Sequence, residues 1–364
     1  MNFLPIYQSY NWKQIQTEIY SKTSADVERA LSATGTRTLE DFQALISPAG
    51  DEYLEQIARE SQRLTQKRFG KTIQLYIPLY LSNECCNSCS YCGFNAGNTI
   101  ERVTLSLSEI MLEVEAIKTM GFDHVLLVTG EAGSKNVDYL LKIFQMIKPY
   151  FCNISIEVQP MEQEDYERLI DAGLHGVYIY QETYGPRYAE YHPKGQKRDF
   201  KYRLSTPDRL GMAGIHKMGL GCLIGLDDWR TDSWFTAAHL SYLEKTYWRS
   251  KFSISFPRIR PAAGGFQPVI EMNDRELVQL LCAYRLFNEN VELSISTRER
   301  QDFRDHIIKL GATALSAGSK TNPGGYAVQP QGLDQFQVED NRTPAEIAGI
   351  ISAQGYEPVW KDWF

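Results

Sequence analysis

Four cysteines fall within eight positions of the chain, between Cys85 and Cys92. Cys85, Cys89 and Cys92 have the spacing C-x3-C-x2-C, and Tyr91 precedes the last of them. Thiolates are soft ligands that hold zinc ions or iron–sulfur clusters. Structural zinc takes four protein ligands, whereas three thiolates on a four-iron cluster leave one iron open. The spacing therefore favours an iron–sulfur cluster, with a loop of zinc-bound or free thiols as the alternative. Cys86 offers only a C-x2-C pair and is interpreted as a non-ligand.

Composition excludes several classes of function. The chain has 364 residues, enough for one large domain or two small ones. Its net charge of −7 provides no basic stripe for nucleic acid. No apolar run approaches the roughly 20 residues of a membrane span, and residues 1–20 lack the pattern of a signal peptide. The seven cysteines do not resemble a disulfide framework. We therefore expect a cytoplasmic protein that binds neither nucleic acid nor membrane.

Apolar periodicity predicts three regions: a helical N-terminal extension (1–70), an α/β barrel (71–320), and a C-terminal tail and helix packed on it (321–364). Strands of the barrel are predicted at 73–81, 124–128, 154–158, 177–180, 220–226, 252–256, 291–295 and 312–315. Helices separate them, one of which begins at 205–207 and ends at Gly219. Eight alternating units predict a closed (β/α)8 barrel of the TIM type, with an incomplete six-unit barrel as the alternative.

Polar side chains follow most of these predicted strands. Catalytic residues of such barrels lie at the carboxyl ends of the strands and in the loops that follow them. The candidates at those positions, besides the cysteines, are Thr129, Gly130, Glu131, Glu157, Gln159, Gln181, Glu182, Tyr184, Ser296, Arg298 and Ser319. We expect these side chains to gather on one rim of the barrel.

The cysteine spacing, followed by Gly93 and Phe94, resembles that of radical S-adenosylmethionine (SAM) enzymes. The resemblance implies that Cys85, Cys89 and Cys92 bind three irons of a [4Fe–4S] cluster and that SAM binds the fourth. It also implies a set of cofactor-binding residues. Thr129, Gly130 and Glu131 would bind the SAM amino group, and Glu157 and Gln159 would bind the ribose. Gly225 of a G-x-L-x-G stretch would lie beside the adenine, and Tyr91 would also contact the cofactor. Lys197 or Arg198 would pair with the SAM carboxylate, with a solvated role in their charged loop as the alternative.

Longer motifs narrow the resemblance to the radical SAM aromatic amino acid lyases, above all to the tyrosine lyases of thiamine biosynthesis. They are 156–160 (IEVQP), 181–184 (QETY), 191–195 (YHPKG) and 296–299 (STRE). The resemblance implies that the Cα–Cβ bond of L-tyrosine is cleaved to dehydroglycine and p-cresol. A tryptophan lyase, a lyase of the hydrogenase-maturation type and a non-catalytic metal-binding scaffold are the alternatives. No cysteine follows Cys282, which argues against the hydrogenase type and its cysteine-rich extension.

Substrate binding requires a cation for the tyrosine carboxylate. Arg298 is the candidate, because its planar fork matches a carboxylate bidentately; an ion pair with Glu299 or Asp302 is the alternative. Ser296 and Glu182 are the other predicted catalytic residues, and His192 is the histidine most worth testing. Further expected partners are a thiazole synthase and an electron donor such as flavodoxin or ferredoxin. The remaining cysteines, Cys152, Cys222 and Cys282, are predicted to be buried apolar residues.

Overall fold

The N-terminal region is helical, as its periodicity predicts. The structure is a computed structural model that describes residues 2–132 and 137–360. Its first helices are α1 (Leu4–Ser9), α2 (Trp12–Tyr20), α3 (Ser24–Ser32), α4 (Leu39–Ile46) and α5 (Leu54–Phe69), with a 3-10 helix at Pro48–Tyr53. Thr38 caps α4 in a reciprocal pair, because its hydroxyl accepts from the Asp41 amide and the Asp41 carboxylate accepts from the Thr38 amide.

Strands and helices alternate through the rest of the chain, and the paired strands are parallel. The strands are β1 (Thr72–Tyr76), β2 (Pro78–Ser82), β3 (His124–Thr129), β4 (Asn153–Glu157), β5 (Leu174–Tyr178), β6 (Lys217–Gly221), β7 (Lys251–Ser255), β8 (Glu292–Ile295), β9 (Ala314–Ser316) and β10 (Glu357–Val359). The helices are α6 (Leu107–Thr119), α7 (Val137–Ile147), α8 (Gln163–Ala172), α9 (Tyr188–Tyr191), α10 (Phe200–Leu204), α11 (Thr206–Met212), α12 (Trp229–Thr246), α13 (Asp274–Phe287), α14 (Gln301–Ile307) and α15 (Pro344–Ala353), with a 3-10 helix at Gln196–Arg198.

The curled sheet closes into a barrel through β1 and β2. The strand order is β10-β1-β9-β8-β7-β6-β5-β4-β3-β2. Because only Ile77 separates β1 from β2, the two arms of this order meet in one stretch of chain. The Tyr76 carbonyl accepts from Ala317 after β9, and the Ile77 carbonyl accepts from Leu126 in β3. The predicted TIM-type barrel is confirmed, and β10 adds a strand beside β1 that the periodicity did not predict.

The prediction for residues 205–226 was wrong in its boundaries. It extended the helix to Gly219 and placed a strand at 220–226, whereas α11 ends at Met212 and β6 spans Lys217–Gly221. Gly219 does not end a helix: a Cβ built on it would lie 2.1 Å from the ring of Tyr178 in β5. The glycine is therefore needed for close strand–strand packing. The predicted strand at 73–81 is likewise interrupted at Ile77.

One apolar core extends between the barrel strands and the surrounding helices, and it includes residues from Phe3 to Tyr356. The N-terminal helices join it, since α4 and α5 pack on α13 and α2 packs on α12. Cys222 and Cys282 are buried as predicted, but Cys152 is exposed, because it lies in the turn that leads into β4. Nothing among the described helices is long and apolar enough to cross a membrane. The three regional boundaries stay a prediction.

Candidate active site

A single large cavity collects most of the predicted site residues. It opens at the carboxyl ends of the barrel strands and measures about 1550 Å³ out to its mouth. The predicted residues in its wall are Cys85, Cys89, Tyr91, Cys92, Thr129, Gly130, Glu131, Glu157, Glu182, Lys197, Ser296, Arg298 and Ser319.

Several candidates lie away from the wall. They are Gln159, Gln181, Tyr184, Arg198 and Gly225. Arg198 is exposed and Gln181 is buried behind the cavity. The Tyr184 hydroxyl contacts His239 at 3.0 Å, and Gly225 occupies the left-handed region at φ +119°. For Arg198 the exposure favours a solvated role, and the cofactor contacts proposed for Gln159 and Gly225 stay predictions.

Backbone contacts hold the cysteine loop against the end of β3. The Cys86 amide donates to the Glu131 carbonyl at 2.9 Å, and the Cys92 amide donates to the Cys89 carbonyl at 3.2 Å. A Cβ on Gly130 would lie 2.2 Å from the Glu84 carbonyl oxygen. Only glycine therefore allows the end of β3 to approach the loop this closely.

The three thiols fit an iron–sulfur cluster better than a single zinc ion. In residues 2–132 and 137–360, no three His, Cys, Asp or Glu side chains are placed to share one metal ion. Cluster thiolates each bind a different iron, so they stand farther apart than the ligands of one zinc ion. Burial raises the pKa of Cys85 and Cys92, and it raises the pKa of Cys89 to about 12. The thiols therefore stay protonated until iron replaces their protons.

A network of buried charges surrounds Glu131. Its carboxylate accepts from Arg203 at 2.9 Å and from the Asn87 side chain at 2.7 Å. Burial alone would raise the pKa of Glu131, but Arg203 and Lys197 outweigh it and hold the pKa below its ordinary value. Glu131 is therefore an ionised carboxylate, and its remaining lone pairs can accept from an ammonium group.

Glu182 adopts a backbone conformation that is uncommon for its residue type. Its φ is +70°, in the left-handed region that favours glycine. Its carbonyl accepts from the Leu223 amide at 2.7 Å, and its carboxylate pairs with Lys197 at 2.6 Å. Behind it, Asp232 accepts from the Tyr184 amide at 2.7 Å. Surrounding contacts therefore hold Glu182 in a strained conformation at the cavity wall, as is typical of functional positions.

Glu157, the last residue of β4, also faces the cavity. Burial and the nearby carboxylate of Glu182 raise the pKa of Glu157 to about 7. Arg298, Lys197 and Arg203 act in the opposite direction. A carboxyl group in this state can accept hydrogen bonds from ligand hydroxyl groups at neutral pH.

His192 does not line the cavity, but it contacts Tyr91, which does. The imidazole Nδ1 lies 2.7 Å from the Tyr188 carbonyl, and Nε2 lies 2.9 Å from the Tyr91 hydroxyl. Because a carbonyl only accepts, Nδ1 carries the proton and the Tyr91 hydroxyl donates to Nε2. Burial and then Lys197 lower the pKa of His192 to about 3, so the ring is neutral. His192 therefore orients Tyr91.

Arg298 rests on an aromatic ring and faces the cavity. Its guanidinium carbon lies 3.3 Å from the ring centroid of Phe336. Glu299 pairs instead with Arg258 and Arg260. Within the described chain, no carboxylate lies within ion-pair distance of Arg298, so the alternative of a pair with Glu299 or Asp302 is not observed. Burial lowers the pKa of Arg298, and a carboxylate ligand would offset this cost.

Sequence reasoning missed several residues of the wall. They include Tyr80, Asn87, Arg203, Gln335 and Phe336. Arg203 had a weak signal, since it is a basic residue in the long loop after the predicted fourth strand. Gln335 and Phe336 had none, because they belong to the C-terminal region and reach the cavity only in the folded chain.

Comparison with known proteins gives two family matches. Residues 79–234 match the radical SAM superfamily, and residues 255–357 match the biotin and thiamin synthesis associated domain. Crystal structures with the same architecture include that of HydG, a maturase of the [FeFe]-hydrogenase. It aligns with a TM-score of 0.89 and 30% identity over 96% of this chain and 80% of that one. The structure of methylornithine synthase (PylB) shares the fold, with a TM-score of 0.74 and 19% identity over 92% of this chain and 97% of that one.

Two full-length relatives share half of their residues with this chain. The 2-iminoacetate synthase of Salmonella typhimurium strain LT2 is 50% identical over 99% of this chain and 96% of that protein. The 2-iminoacetate synthase of Escherichia coli strain K12 is 50% identical over 98% of this chain and 95% of that protein. Radical SAM enzymes use a [4Fe–4S] cluster and SAM, and the three thiols fit that cofactor. The chain therefore belongs to the 2-iminoacetate synthase family of radical SAM enzymes.

Proposed function

We propose that this protein is a tyrosine lyase that cleaves the Cα–Cβ bond of L-tyrosine to 2-iminoacetate (dehydroglycine) and p-cresol for thiamine thiazole biosynthesis. The observation that carries the proposal is the shared cavity. It combines three cysteine thiols with an arginine, Arg298, that has no carboxylate partner in the described chain. The family supports the same reaction, since the full-length relatives are 2-iminoacetate synthases.

The cofactor half of the cavity is assigned to the residues nearest the cysteine loop. Cys85, Cys89 and Cys92 would hold the [4Fe–4S] cluster. When bound, the cluster and SAM supply the 5′-deoxyadenosyl radical, with methionine as the other product. Glu131 accepts from the SAM ammonium and Glu157 from the ribose hydroxyls. The remaining cofactor contacts are assigned to Thr129, Gly130 and Tyr91, with Lys197 as the candidate for the SAM carboxylate.

The substrate half is assigned to Arg298, Ser296 and Glu182. Arg298 binds the tyrosine carboxylate, and Ser296 adds a hydrogen bond from the same strand end. The bound cofactor would remove a hydrogen atom from the tyrosine amino group held there, with 5′-deoxyadenosine as the product. The Cα–Cβ bond would then break, and the 4-hydroxybenzyl fragment would take up a second electron from the external one-electron donor and a proton from water to become p-cresol.

Two partners follow from this chemistry. A one-electron donor of the flavodoxin or ferredoxin type would reduce the cluster. A thiazole synthase would receive the dehydroglycine, which water otherwise hydrolyses to glyoxylate. No disulfide joins any of the seven cysteines, all of which lie in the described residues, as expected in a reducing compartment, which supports a cytoplasmic location.

The test is an anaerobic assay of reconstituted protein with SAM, a strong reductant and L-tyrosine, followed by mass spectrometry. We expect p-cresol, 5′-deoxyadenosine and glyoxylate together, and none of the three from Cys89→Ala. 5′-Deoxyadenosine without p-cresol would overturn the tyrosine assignment and leave a radical SAM enzyme with another substrate. Tryptophan would then be the next substrate to test.

A further inference from the structure

Gln335, from the C-terminal region, contacts a cysteine of the cluster loop. Its amide nitrogen lies 3.5 Å from the Cys92 sulfur. The Gln335 side-chain oxygen accepts from the Tyr80 hydroxyl at 2.8 Å. Its backbone carbonyl accepts from the Gly93 amide at 3.2 Å. Three contacts therefore position this one residue beside the loop.

The chemistry of the partners determines the orientation of the Gln335 amide. With the cluster bound, the Cys92 sulfur is a thiolate that only accepts hydrogen bonds, so the NH2 end of the amide must then face it. The oxygen end then faces Tyr80, whose hydroxyl is free to donate. The backbone approach is equally specific, because a Cβ on Gly93 would lie 2.4 Å from the Gln335 carbonyl oxygen. The contact between Gln335 and the loop thus depends on the glycine that follows Cys92.

Cys92 differs in this respect from the other two cysteines. Of the side chains in residues 2–132 and 137–360, only Gln335 donates a hydrogen bond to the sulfur of Cys85, Cys89 or Cys92. Hydrogen bonds to the sulfurs are one of the factors that set the reduction potential of an iron–sulfur cluster. Reduction adds negative charge that spreads onto the sulfurs, so an N–H donor stabilises the reduced form more than the oxidised form.

We propose that Gln335 is a positioning residue for the cluster, which acts through the Cys92 sulfur and raises the reduction potential. The proposal rests on the proposed function, in which Cys92 is a cluster ligand. The next residue, Phe336, lies under Arg298. The same short segment thus contacts both a cluster ligand and the candidate substrate ligand, and the cluster environment is complete only when the C-terminal region is in place.

The test is the midpoint potential of the reconstituted cluster, measured by anaerobic redox titration with EPR detection and without SAM or tyrosine. Gln335→Leu removes the donor and keeps an apolar side chain of similar size. We expect its potential to be more negative, with a several-fold lower ratio of reduced to oxidised cluster at the wild-type midpoint. A tenfold lower ratio corresponds to a shift of about 59 mV for a one-electron couple. Gln337→Leu, at an exposed position two residues on, is the matched control and should titrate like the wild type.

Tyr80→Phe provides a second reading. It keeps the Gln335 N–H but removes the hydroxyl that orients the amide, so we expect a smaller shift in the same direction. A fully loaded Gln335→Leu protein with the wild-type potential would overturn the proposal. If Gln335→Leu does not hold the cluster, a wild-type potential in Tyr80→Phe overturns it instead. If the wild type makes no p-cresol but the potentials of Gln335→Leu and Tyr80→Phe are both shifted as expected, the tyrosine lyase function is contradicted and the role of Gln335 is supported.

Discussion

At the scale of single residues, Arg298 and Glu157 share one property: burial in the cavity wall opposes the charged form of each side chain. Arg298 is a guanidinium in the cavity wall without a carboxylate partner in the described chain, and burial lowers its pKa. Glu157 is a carboxyl group whose pKa is raised to about 7 by burial and Glu182. Buried groups whose pKa departs from its ordinary value are typical of binding and catalytic sites.

Replacement of Arg298 should affect tyrosine binding far more than SAM binding. Arg298→Lys keeps the charge but loses the bidentate fork, and Arg298→Ala loses both. Hydrogen bonds to charged groups contribute about 1.5–3 kcal/mol, so we expect the KM for tyrosine to rise about 10- to 100-fold in Arg298→Ala and less in Arg298→Lys. Steady-state kinetics and equilibrium dialysis with SAM measure the two effects. Arg300→Lys, at an exposed position, is the control, and equal losses for both ligands would contradict the assignment.

Glu157 should make the stability of the SAM-free protein depend on pH. The pKa of its carboxyl is about 7 in the folded state, above the ordinary value of about 4.3 in an unfolded chain. The folded state therefore binds this proton more tightly, and the resulting stability is complete below about pH 4 and lost as pH rises through about 7. Glu157→Gln removes this pH-dependent contribution. The Tm of the wild type relative to that of Glu157→Gln should therefore fall as the pH rises from about 4 to about 7.

Differential scanning calorimetry at a series of pH values measures this difference. The groups that face Glu157 are Glu182, Lys197, Arg203 and Arg298, and they are the same in both proteins. Glu164→Gln, at an exposed position of α8, is the control and should show no such trend. A difference in Tm that stays constant with pH would show that Glu157 is not the source.

At the scale of the element, the cysteine loop is closed by Arg102. Its guanidinium donates to the carbonyls of Asn83 and Phe94 at 2.9 Å each, Asn95 at 2.7 Å and Asn98 at 3.3 Å. These carbonyls lie on both sides of the three cysteines in sequence. One side chain therefore replaces the regular hydrogen bonding that an irregular loop lacks.

Arg102→Gln should weaken cluster binding without unfolding the barrel. A glutamine amide has two N–H donors instead of five, so most of the four contacts are lost and the loop is free to open. We expect less iron and sulfide per chain and several-fold faster bleaching of the cluster by a chelator, with an unchanged far-UV circular dichroism spectrum. Arg59→Gln, exposed on α5, is the control. Wild-type iron content and bleaching rate in Arg102→Gln would disprove the role.

At the scale of the whole molecule, buried charges tie the C-terminal region to the barrel. Asp340 is fully buried and accepts from Arg304 of α14 and from Arg342, the latter at 2.7 Å. Glu113 of α6 is also fully buried, and it accepts from the amides of Tyr326 and Ala327 at 3.0 and 2.6 Å. Gln335 and Phe336 lie between these two anchors in sequence.

Asp340→Asn should destabilise the whole protein. It leaves the buried guanidinium of Arg304 without a carboxylate, and removal of one partner of a buried ion pair costs about 3–5 kcal/mol. Anaerobic denaturation by urea, followed by fluorescence, measures the change in the free energy of unfolding. Asp302→Asn, on the exposed side of α14, is the control. A change no larger than that of the control would show that the pair does not hold the region in place.

The sequence by itself determined the local features of this protein. The helix at 274–287 and the caps of α4 and α6 can be read from the sequence, because they depend on residues three or four positions apart. The alternation of eight strands with helices was enough to predict the barrel, and the cysteine spacing was enough to predict the cluster. The boundaries around Gly219 could not be predicted, because their cause is the Tyr178 ring on a neighbouring strand.

Only the tertiary structure decided how the cavity is completed. The contact between Arg203 and Glu131 joins residues 72 positions apart, and that between Gln335 and Cys92 joins residues 243 apart. No periodicity or spacing reports such pairs, because they depend on how strands and loops pack after the barrel has closed. The role of the cysteines can be predicted from their spacing in the sequence. The side chains that contact the cysteine loop and its neighbours, such as Arg203 and Gln335, are distant in sequence and are identified only in the folded structure.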